Sequence, residues 1–288
     1  MPSLIDIRRR IRSVRNTQQI TKAMKMVSAA KLRRAQERVL AARPYAVLIR
    51  EMLASVSSRV SSAEGPAHAL LERRPENSVL LLLLTGDKGL AGAFNTNLIK
   101  ASQAFLVERS SRRVELELIG RKGRDFYRRR QVTISGEHVN VFGKVEYGLA
   151  RAIAQKEIAR FVAREVDAVY LLYNEFKSVL SQKLVIDRVL PLSAPAAGEA
   201  GAVEYIYEEP VEQILAGLLP RYVEVQIYRA MLESAAAEHA ARMTAMDAAT
   251  SNAAEMIDKL TLYMNRVRQA SITKEIIEVV SGAAVAAE

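Results

Sequence analysis

Two long segments at opposite ends of the chain contain almost no residues that break helices. Residues 3–64 include no glycine and a single proline, Pro44, and the 61 residues 221–281 include neither. Helices in globular proteins average about 11–12 residues, and a long amphipathic helix needs a second element to cover its apolar stripe. We therefore expect both ends of the chain to form long helices that pair with each other.

The apolar stripe of the first segment starts regularly, from an N-cap at Ser3, and then drifts. Ile7, Ile11 and Val14 recur at helical spacing. Polar residues occupy the strict heptad positions Gln18, Thr21, Lys25 and Ser28, and the stripe passes instead to Ile20, Met24 and Val27, and later to Leu32, Ala35, Val39 and Ala42. This pattern predicts a loose coiled coil. We also predict that Pro44 kinks the helix.

The middle of the chain alternates strand and helix patterns, which favours a mostly parallel sheet with helices on its faces. Strands are predicted at 79–85, 114–119, 132–135, 168–174 and 183–190, the last as an edge, and helices at 93–109, 121–130 and 145–166. The sequence divides into an N-terminal coiled-coil helix (1–60), a central α/β domain (77–192), a linker and short strand (193–209) and a C-terminal coiled-coil helix (210–288). In the last of these, Pro210 opens a helix and Pro220 lies near the start of the long one.

The positive charge of the chain is concentrated at its beginning. Residues 1–43 hold 12 Lys or Arg and 2 acidic residues, which accounts for the whole net charge of +10. Such an arm favours an acidic partner, or one rich in phosphate or carbonyl oxygens. A nucleic-acid-binding protein, or an Arg-rich transit peptide at the N-terminus, stays open on composition alone.

Composition excludes several classes of chemistry. The absence of cysteine excludes disulfides, iron–sulfur clusters, Cys-ligated zinc and a thiol nucleophile. His68, His138 and His239 have no neighbours at zinc-ligand spacing. No apolar run reaches the 18 residues of a membrane span. We expect neither a cofactor nor a metal.

The glycine-rich turn at 85–95 follows a strand and precedes a helix, which is where phosphates bind in doubly wound sheets. It matches neither nucleotide fingerprint, GxGxxG or GxxxxGK[ST]. Two interpretations stay open: a nucleotide site belonging to an enzyme, or a turn that displays Lys88 for contact elsewhere.

Other contact candidates lie on the terminal segments. One is the dense run that contains Lys22, Met24 and Lys25. A second, Arg268, Gln269 and Thr273, is predicted near one helix face, and it leads into an apolar tip made of Ile276, Ile277, Val279 and Val280. Solvated helix faces are the alternative for both polar sets, whereas a tip that is apolar all round indicates a hydrophobic socket.

Several ordered motifs resemble the gamma-subunit family of the F-type rotary ATP synthase. They are IDIRRRI at 5–11, TKAMKMV at 21–27, AAK at 29–31, DKGLAG at 87–92 with Asn95, YVE at 222–224, EHAARMTAM at 238–246, RQASITKE at 268–275 and SGA at 281–283. The resemblance covers both ends and the core of the middle. It implies an α/β fold class with a long antiparallel coiled coil of the N- and C-terminal helices plus a central Rossmann-like domain.

The resemblance also implies a function without catalysis by this chain itself. Family members form the central rotor stalk, transmitting rotation between the proton-driven membrane c-ring and the catalytic alpha/beta ring. By resemblance, Arg268 and Gln269 bond a loop of a beta subunit, with Thr273 nearby. Lys22, Met24, Lys25 and Lys88 meet the acidic lever of that subunit, and the tip turns in a hydrophobic sleeve.

The implied partners are the alpha, beta, epsilon and delta subunits and the c-ring, with one copy of this chain in the assembly. The implied location is the cytoplasmic side of the bacterial inner membrane, reached peripherally through the complex. The alternative is a basic nucleic-acid-binding protein, which would use the N-terminal arm on phosphates. It has little further support, because the chain has no tryptophan and no recognition motif.

Overall fold

A computed structural model describes residues 3–59, 68–193 and 210–286. These residues divide into two compact units, one formed by Met1–Val27 with Met243–Glu288 and the other by Ser28–Arg242. All but the first residue of the predicted linker and short strand (193–209) lies outside the described residues. The four-part division made from the sequence stays a prediction.

Two long helices supply both ends of the chain, as predicted. Helix α1 spans Leu4–Arg59 and α5 spans Val211–Ala286. Ser3 caps α1, because its hydroxyl accepts the backbone N–H of Asp6 at 3.2 Å. Each helix continues through a proline, Pro44 in α1 and Pro220 in α5. The kink at Pro44 therefore stays a prediction, whereas the helix that opens after Pro210 and the long helix are one element rather than two.

The buried side of α1 follows heptad spacing through the positions where the sequence indicated drift. Alternating steps of four and three residues connect one series of buried and half-buried positions, which is Ile7, Ile11, Val14, Gln18, Thr21, Lys25, Ser28, Leu32, Ala35, Val39, Ala42, Ala46, Ile49 and Leu53, and the half-buried Met24 and Gln36 lie beside it. Ile20 and Val27, which the apolar pattern places on the stripe, are exposed. A spacing of 3.5 residues is that of a left-handed coiled coil, so small and polar residues fill the seam where the sequence indicated a departure from it.

The middle of the chain forms a five-stranded sheet in the order β3-β2-β1-β4-β5. The strands are β1 (Ser78–Leu84), β2 (Arg113–Ile119), β3 (Thr133–His138), β4 (Ala168–Phe176) and β5 (Gln182–Leu190). The first four are parallel, and β5 pairs antiparallel with β4 at the edge. This confirms the predicted mostly parallel sheet with residues 183–190 at its edge.

Three helices connect the strands: α2 (Phe94–Glu108), α3 (Arg121–Tyr127) and α4 (Tyr147–Val162). The first strand, β1, is central and reads Ser-Val followed by five leucines, because both of its faces are covered. One face packs against α2, α3 and Ala237 of α5. On the opposite face α4 meets the side chains of Glu115 and Glu117 from β2.

The turn between β2 and α3 requires glycine. Gly120 has φ +109°, and a Cβ there would lie 1.8 Å from the carbonyl oxygen of Thr85. The backbone N–H of Thr85 also donates to the carbonyl oxygen of Ile119 in the sheet, at 2.8 Å. The carboxyl-terminal ends of β1 and β2 are therefore held in close backbone contact at the glycine-rich turn.

Candidate partner-contact surfaces

The first unit pairs the start of α1 with the later part of α5 in opposite directions. The hydroxyls of Thr21 and Thr250 lie 2.8 Å apart, and the Lys25 ammonium lies 2.5 Å from the carboxylate of Asp247. Moving forward along α1 thus means moving backward along α5. This confirms the antiparallel pairing of the terminal helices.

The predicted contact residues of α1 differ in how available they are. Lys25 is half-buried and ion-paired with Asp247, a partner that the sequence did not indicate. Met24 is also half-buried, whereas Lys22 is exposed. Of these three, Lys22 has the charge most open to another molecule.

The predicted contact residues Arg268, Gln269 and Thr273, which we call the clamp, are exposed but do not share one face of α5. Gln269 and Thr273 lie one turn apart, and the Thr273 hydroxyl donates to the carbonyl of Gln269 at 2.9 Å. Neighbouring residues on an α-helix project about 100° apart. Arg268 is therefore turned away from Gln269, and the two side chains reach different directions from the same turn.

The apolar tip lies in the open. Ile276, Ile277, Val279 and Val280 are 57–71 % exposed. At about 100° per residue, these four apolar side chains project within an arc of about 160° of the helix, and the exposed acids Glu275 and Glu278 lie on the remaining side. Because exposed apolar groups of this size gain free energy when they leave water, this side of the tip suits an apolar surface.

In the second unit, the turn that carries Lys88 is held in place by Asp87. The carboxylate of Asp87 accepts the backbone N–H groups of Arg121 at 3.1 Å, Asn140 at 2.8 Å and Phe142 at 3.0 Å. One side chain thus joins the turn to the start of α3 and to the segment after β3. The Asp87 carboxylate also places a negative charge in the turn, and its repulsion of a phosphate disfavours the nucleotide interpretation.

The same turn is attached to α2 and α5. The Asn95 carboxamide accepts the N–H of Gly86 at 2.8 Å. The Arg242 guanidinium donates to the carbonyls of Lys88 and Gly89 at 3.3–3.4 Å and also binds Glu238. The Lys88 side chain itself points into solvent. The turn is therefore a rigid platform that presents one exposed cation.

Burial shifts the pKa values of the ionisable groups beside this turn. Burial raises the pKa of the Glu238 carboxyl, against the opposing effect of Arg242. Burial and the nearby cation Arg242 lower the pKa of His239 to about 4, so this histidine is neutral at physiological pH. His239 is half-buried, and Arg242 lies 3.4 Å from its Nδ1.

Comparison with known proteins identifies the family. A sequence model of the family described as ATP synthase matches residues 3–285. The ATP synthase gamma chain of Solibacter usitatus is 66% identical over 287 residues, with 99% of this chain and all of that protein covered. That of Anaeromyxobacter sp. (strain Fw109-5) is 51% identical, with 98% and 99% covered. The chain belongs to the ATP synthase gamma chain family.

Solved structures agree on the fold. A chain of the Tetrahymena thermophila mitochondrial ATP synthase, from the structure of the central stalk and c-ring, is similar with a TM-score of 0.61 and 27% identity. The match covers 80% of this gamma chain and 99% of that one. A chain of the Euglena gracilis mitochondrial ATP synthase has the same fold, with a TM-score of 0.70, 19% identity, and 98% and 94% of the chains covered.

These relatives do not support the nucleic-acid alternative. Within the described residues of this gamma chain, no helix is long and apolar enough to cross a membrane. The same residues hold no group of three or more His, Asp or Glu arranged for a metal ion.

Sequence reasoning missed the residues that attach α5 to the α/β sheet. Glu224 accepts the Tyr147 hydroxyl at 2.5 Å, and burial with this bond raises the pKa of Tyr147 to about 12. Glu233 accepts the N–H of Phe176 at 3.2 Å. Glu224, Glu233 and Glu238 are acidic residues on a face of α5 that is otherwise apolar and buried. A buried acid in an apolar segment indicates a specific polar partner, which is the signal that could have identified them.

Proposed function

We propose that this chain is the central rotor stalk of an F-type ATP synthase and transmits rotation between the membrane c-ring and the catalytic alpha/beta ring. Membership of the gamma chain family over 99% of the sequence carries this proposal. The paired ends of the chain support it physically. Two helices that share one seam transmit a rotation together, as one body, better than a single helix does. The function requires no chemistry from this chain, and we assign ATP synthesis and hydrolysis to the beta subunits.

Its contacts with the beta subunits are assigned to exposed side chains. Arg268, Gln269 and Thr273 bind a loop of a beta subunit, and the divergent directions of Arg268 and Gln269 suit two acceptors on that loop. Lys22 and Lys88 meet an acidic lever, with Met24 and Lys25 beside Lys22. Long-range attraction between opposite charges is weakly directional, so it permits sliding.

The tip and the complex complete the proposal. Ile276, Ile277, Val279 and Val280 turn in a hydrophobic sleeve, where apolar contact imposes no preferred direction. The alpha, beta, epsilon and delta subunits and the c-ring are the partners of the single copy. The complex lies at the bacterial inner membrane, with this chain peripheral on its cytoplasmic side. Bacterial gamma chains as similar as 66% support that location.

Purification from the native cells tests the function. A tagged chain, purified from detergent-solubilised membranes, should bring with it a large assembly that hydrolyses ATP. Recovery of the tagged chain only as a free soluble protein, with ATPase activity left in the unbound membrane fraction, would contradict the proposal.

Replacement of the clamp tests the contact assignment. The double variant Arg268→Ala/Gln269→Ala should lower proton-driven ATP synthesis about tenfold or more, because each lost charge-assisted bond is worth about 1.5–3 kcal/mol. The matched control is Glu255→Ala/Lys259→Ala, an exposed pair on the same helix joined only at 3.9 Å. Equal ATP synthesis by the clamp variant and the control would refute the assignment.

A further inference from the structure

A groove of about 250 Å³ lies between the middle of α1 and the beginning of α5, within the second unit. Its floor is apolar and its rim is cationic. The lining residues are Arg43, Ala46, Val47 and Arg50 of α1 and Tyr222, Val225, Gln226 and Arg229 of α5. None of the contacts assigned above uses this groove.

The cations stand at the two ends of the groove. Arg43 and Arg229 both act electrostatically on the buried Glu233 and both line the groove, so these two cations belong to the same end of it. Arg43 therefore faces Arg229 at one end, and Arg50 lies at the other. Seven residues of helix separate Arg43 from Arg50, which is about 10 Å at 1.5 Å per residue.

The chain itself balances only part of the positive charge of the groove, through the electrostatic action of Glu233 on Arg43 and Arg229. Within the described residues, Arg43 and Arg50 form no ion pair, and Arg229 reaches only Glu175, at 4.0 Å. Glu175 in turn is shared with Lys177, at 2.8 Å. Three guanidinium groups around one groove repel each other, and an anionic ligand would relieve that repulsion.

The same stretch of α1 exposes apolar side chains beside the groove. Leu40, Tyr45, Val47 and Leu48 are 44–58 % exposed. Within nine residues of one helix, this is an apolar patch next to a cationic one, and such patches mark protein interfaces. Arginine and tyrosine are also the residues most enriched at binding hot spots.

We propose that this groove docks an acidic segment of a partner protein, one with two carboxylates about 10 Å apart that flank an apolar side chain. Arg43 with Arg229 binds one carboxylate, Arg50 binds the other, and the apolar side chain covers Ala46 and Val225. In a polyproline II segment, which has three residues per turn at about 3.1 Å each, two carboxylates three residues apart project from the same side at about this spacing. A single phosphate would occupy only one end. The proposal rests on the proposed function insofar as the partner is another subunit of the same assembly.

Photocrosslinking in the purified ATPase assembly tests the proposal. The photoreactive residue p-benzoylphenylalanine replaces Val47, and mass spectrometry identifies the crosslinked peptide. We expect one segment of another subunit with two acidic residues at the stated spacing. Arg43→Glu/Arg50→Glu should lower its crosslinking yield about tenfold, and exchange of the two partner acids for lysine should restore the yield in that variant.

The control variant is Lys100→Glu/Arg129→Glu, which changes the net charge equally at two exposed positions outside the groove. Its crosslinking yield should equal that of the parent. Crosslinking to lipid, to a segment without acids, or to nothing in an intact assembly would overturn the groove proposal while leaving the rotor function standing. Failure of the parent chain to enter any assembly would instead overturn the proposed function.

Discussion

Buried carboxylates fix much of the α/β sheet at the scale of single residues. Glu117 on β2 is fully buried, and it accepts His138 Nε2 at 2.8 Å and Lys156 Nζ at 2.7 Å. Glu115, two residues earlier, binds Arg160 at 2.6 Å. These bonds connect β2 to β3 and to α4. Removing one partner of such a pair leaves the other charge buried and costs several kcal/mol.

The Glu117 bonds predict a pH dependence. Burial alone would raise the pKa of this carboxyl, but the bonds from His138 and Lys156 outweigh it and the pKa lies below its ordinary value of 4.5. The folded state therefore holds this proton less tightly than the unfolded state. The stabilisation is complete above pH 4.5 and is lost as the pH falls through the folded-state pKa.

The measurement is urea unfolding of the full chain between pH 5 and pH 3. The free energy of unfolding of Glu117→Gln should fall less steeply with acid, by up to about 1.4 kcal/mol per pH unit. Glu108→Gln, at an exposed carboxylate, should keep the slope of the parent. Parallel curves for the parent and Glu117→Gln would show that His138 and Lys156 do not lower this pKa.

At the scale of elements, the seam of α1 is set by position more than by hydrophobicity. Ser28 and Thr21 are buried on it although they are polar, and Ile20 and Met26 are exposed although they are apolar. A heptad register is a property of the whole helix, so one regular seam overrides local composition. Small residues at seam positions also allow close approach of the partner helix.

Two leucines of α1 distinguish the effect of position on the seam from the effect of hydrophobicity. Leu32 lies on the seam and is 4 % exposed, whereas Leu40 lies off it and is 58 % exposed. Leu32→Ala should lower the free energy of unfolding by about 2–5 kcal/mol, and Leu40→Ala by less than about 0.5 kcal/mol. Calorimetric or urea unfolding of the purified chain measures both. Comparable losses would mean that the seam does not follow the heptad positions.

The α/β elements could be predicted because each strand and helix carries its own pattern. The predicted bounds of β1, α2, β2 and β4 agree with the structure to within two residues at each end. The continuation of α1 and α5 through Pro44 and Pro220 could not be predicted. A proline disrupts an isolated helix, whereas tertiary packing can hold the helix together on both sides of it. The partners Asp247, Glu224 and Arg242 were also beyond reach, because antiparallel register and side-chain contact depend on the assembled fold.

For the whole molecule, the chain's two ends belong to one unit and its middle to the other. Both long helices contribute residues to each unit. The first unit consists of two separate stretches of chain, and the second unit is the stretch between them. Cutting the chain at one place therefore cannot separate the two units. A stalk that turns as one body needs its two terminal helices to move together.

A covalent link between the ends tests whether they do. The variant Thr21→Cys/Thr250→Cys places two thiols where hydroxyls lie 2.8 Å apart, in a chain that otherwise has no cysteine. Oxidation should give an intramolecular disulfide, seen as a mobility change on non-reducing gels, and ATP-driven proton pumping by the assembly should persist. Each single-cysteine variant is the control for oxidation itself. Pumping that stops on oxidation and returns on reduction would mean that the ends must slide past each other.

The alanines of α5 have a mechanical consequence. Ala235, Ala236, Ala237 and Ala240 are buried side by side where the helix meets its neighbours. A methyl group has no rotamers to exchange, so it neither loses side-chain entropy on burial nor rearranges under force. A contact made of methyl groups cannot yield by a change of rotamer. A displacement of α5 is therefore passed directly to the elements that pack against these alanines.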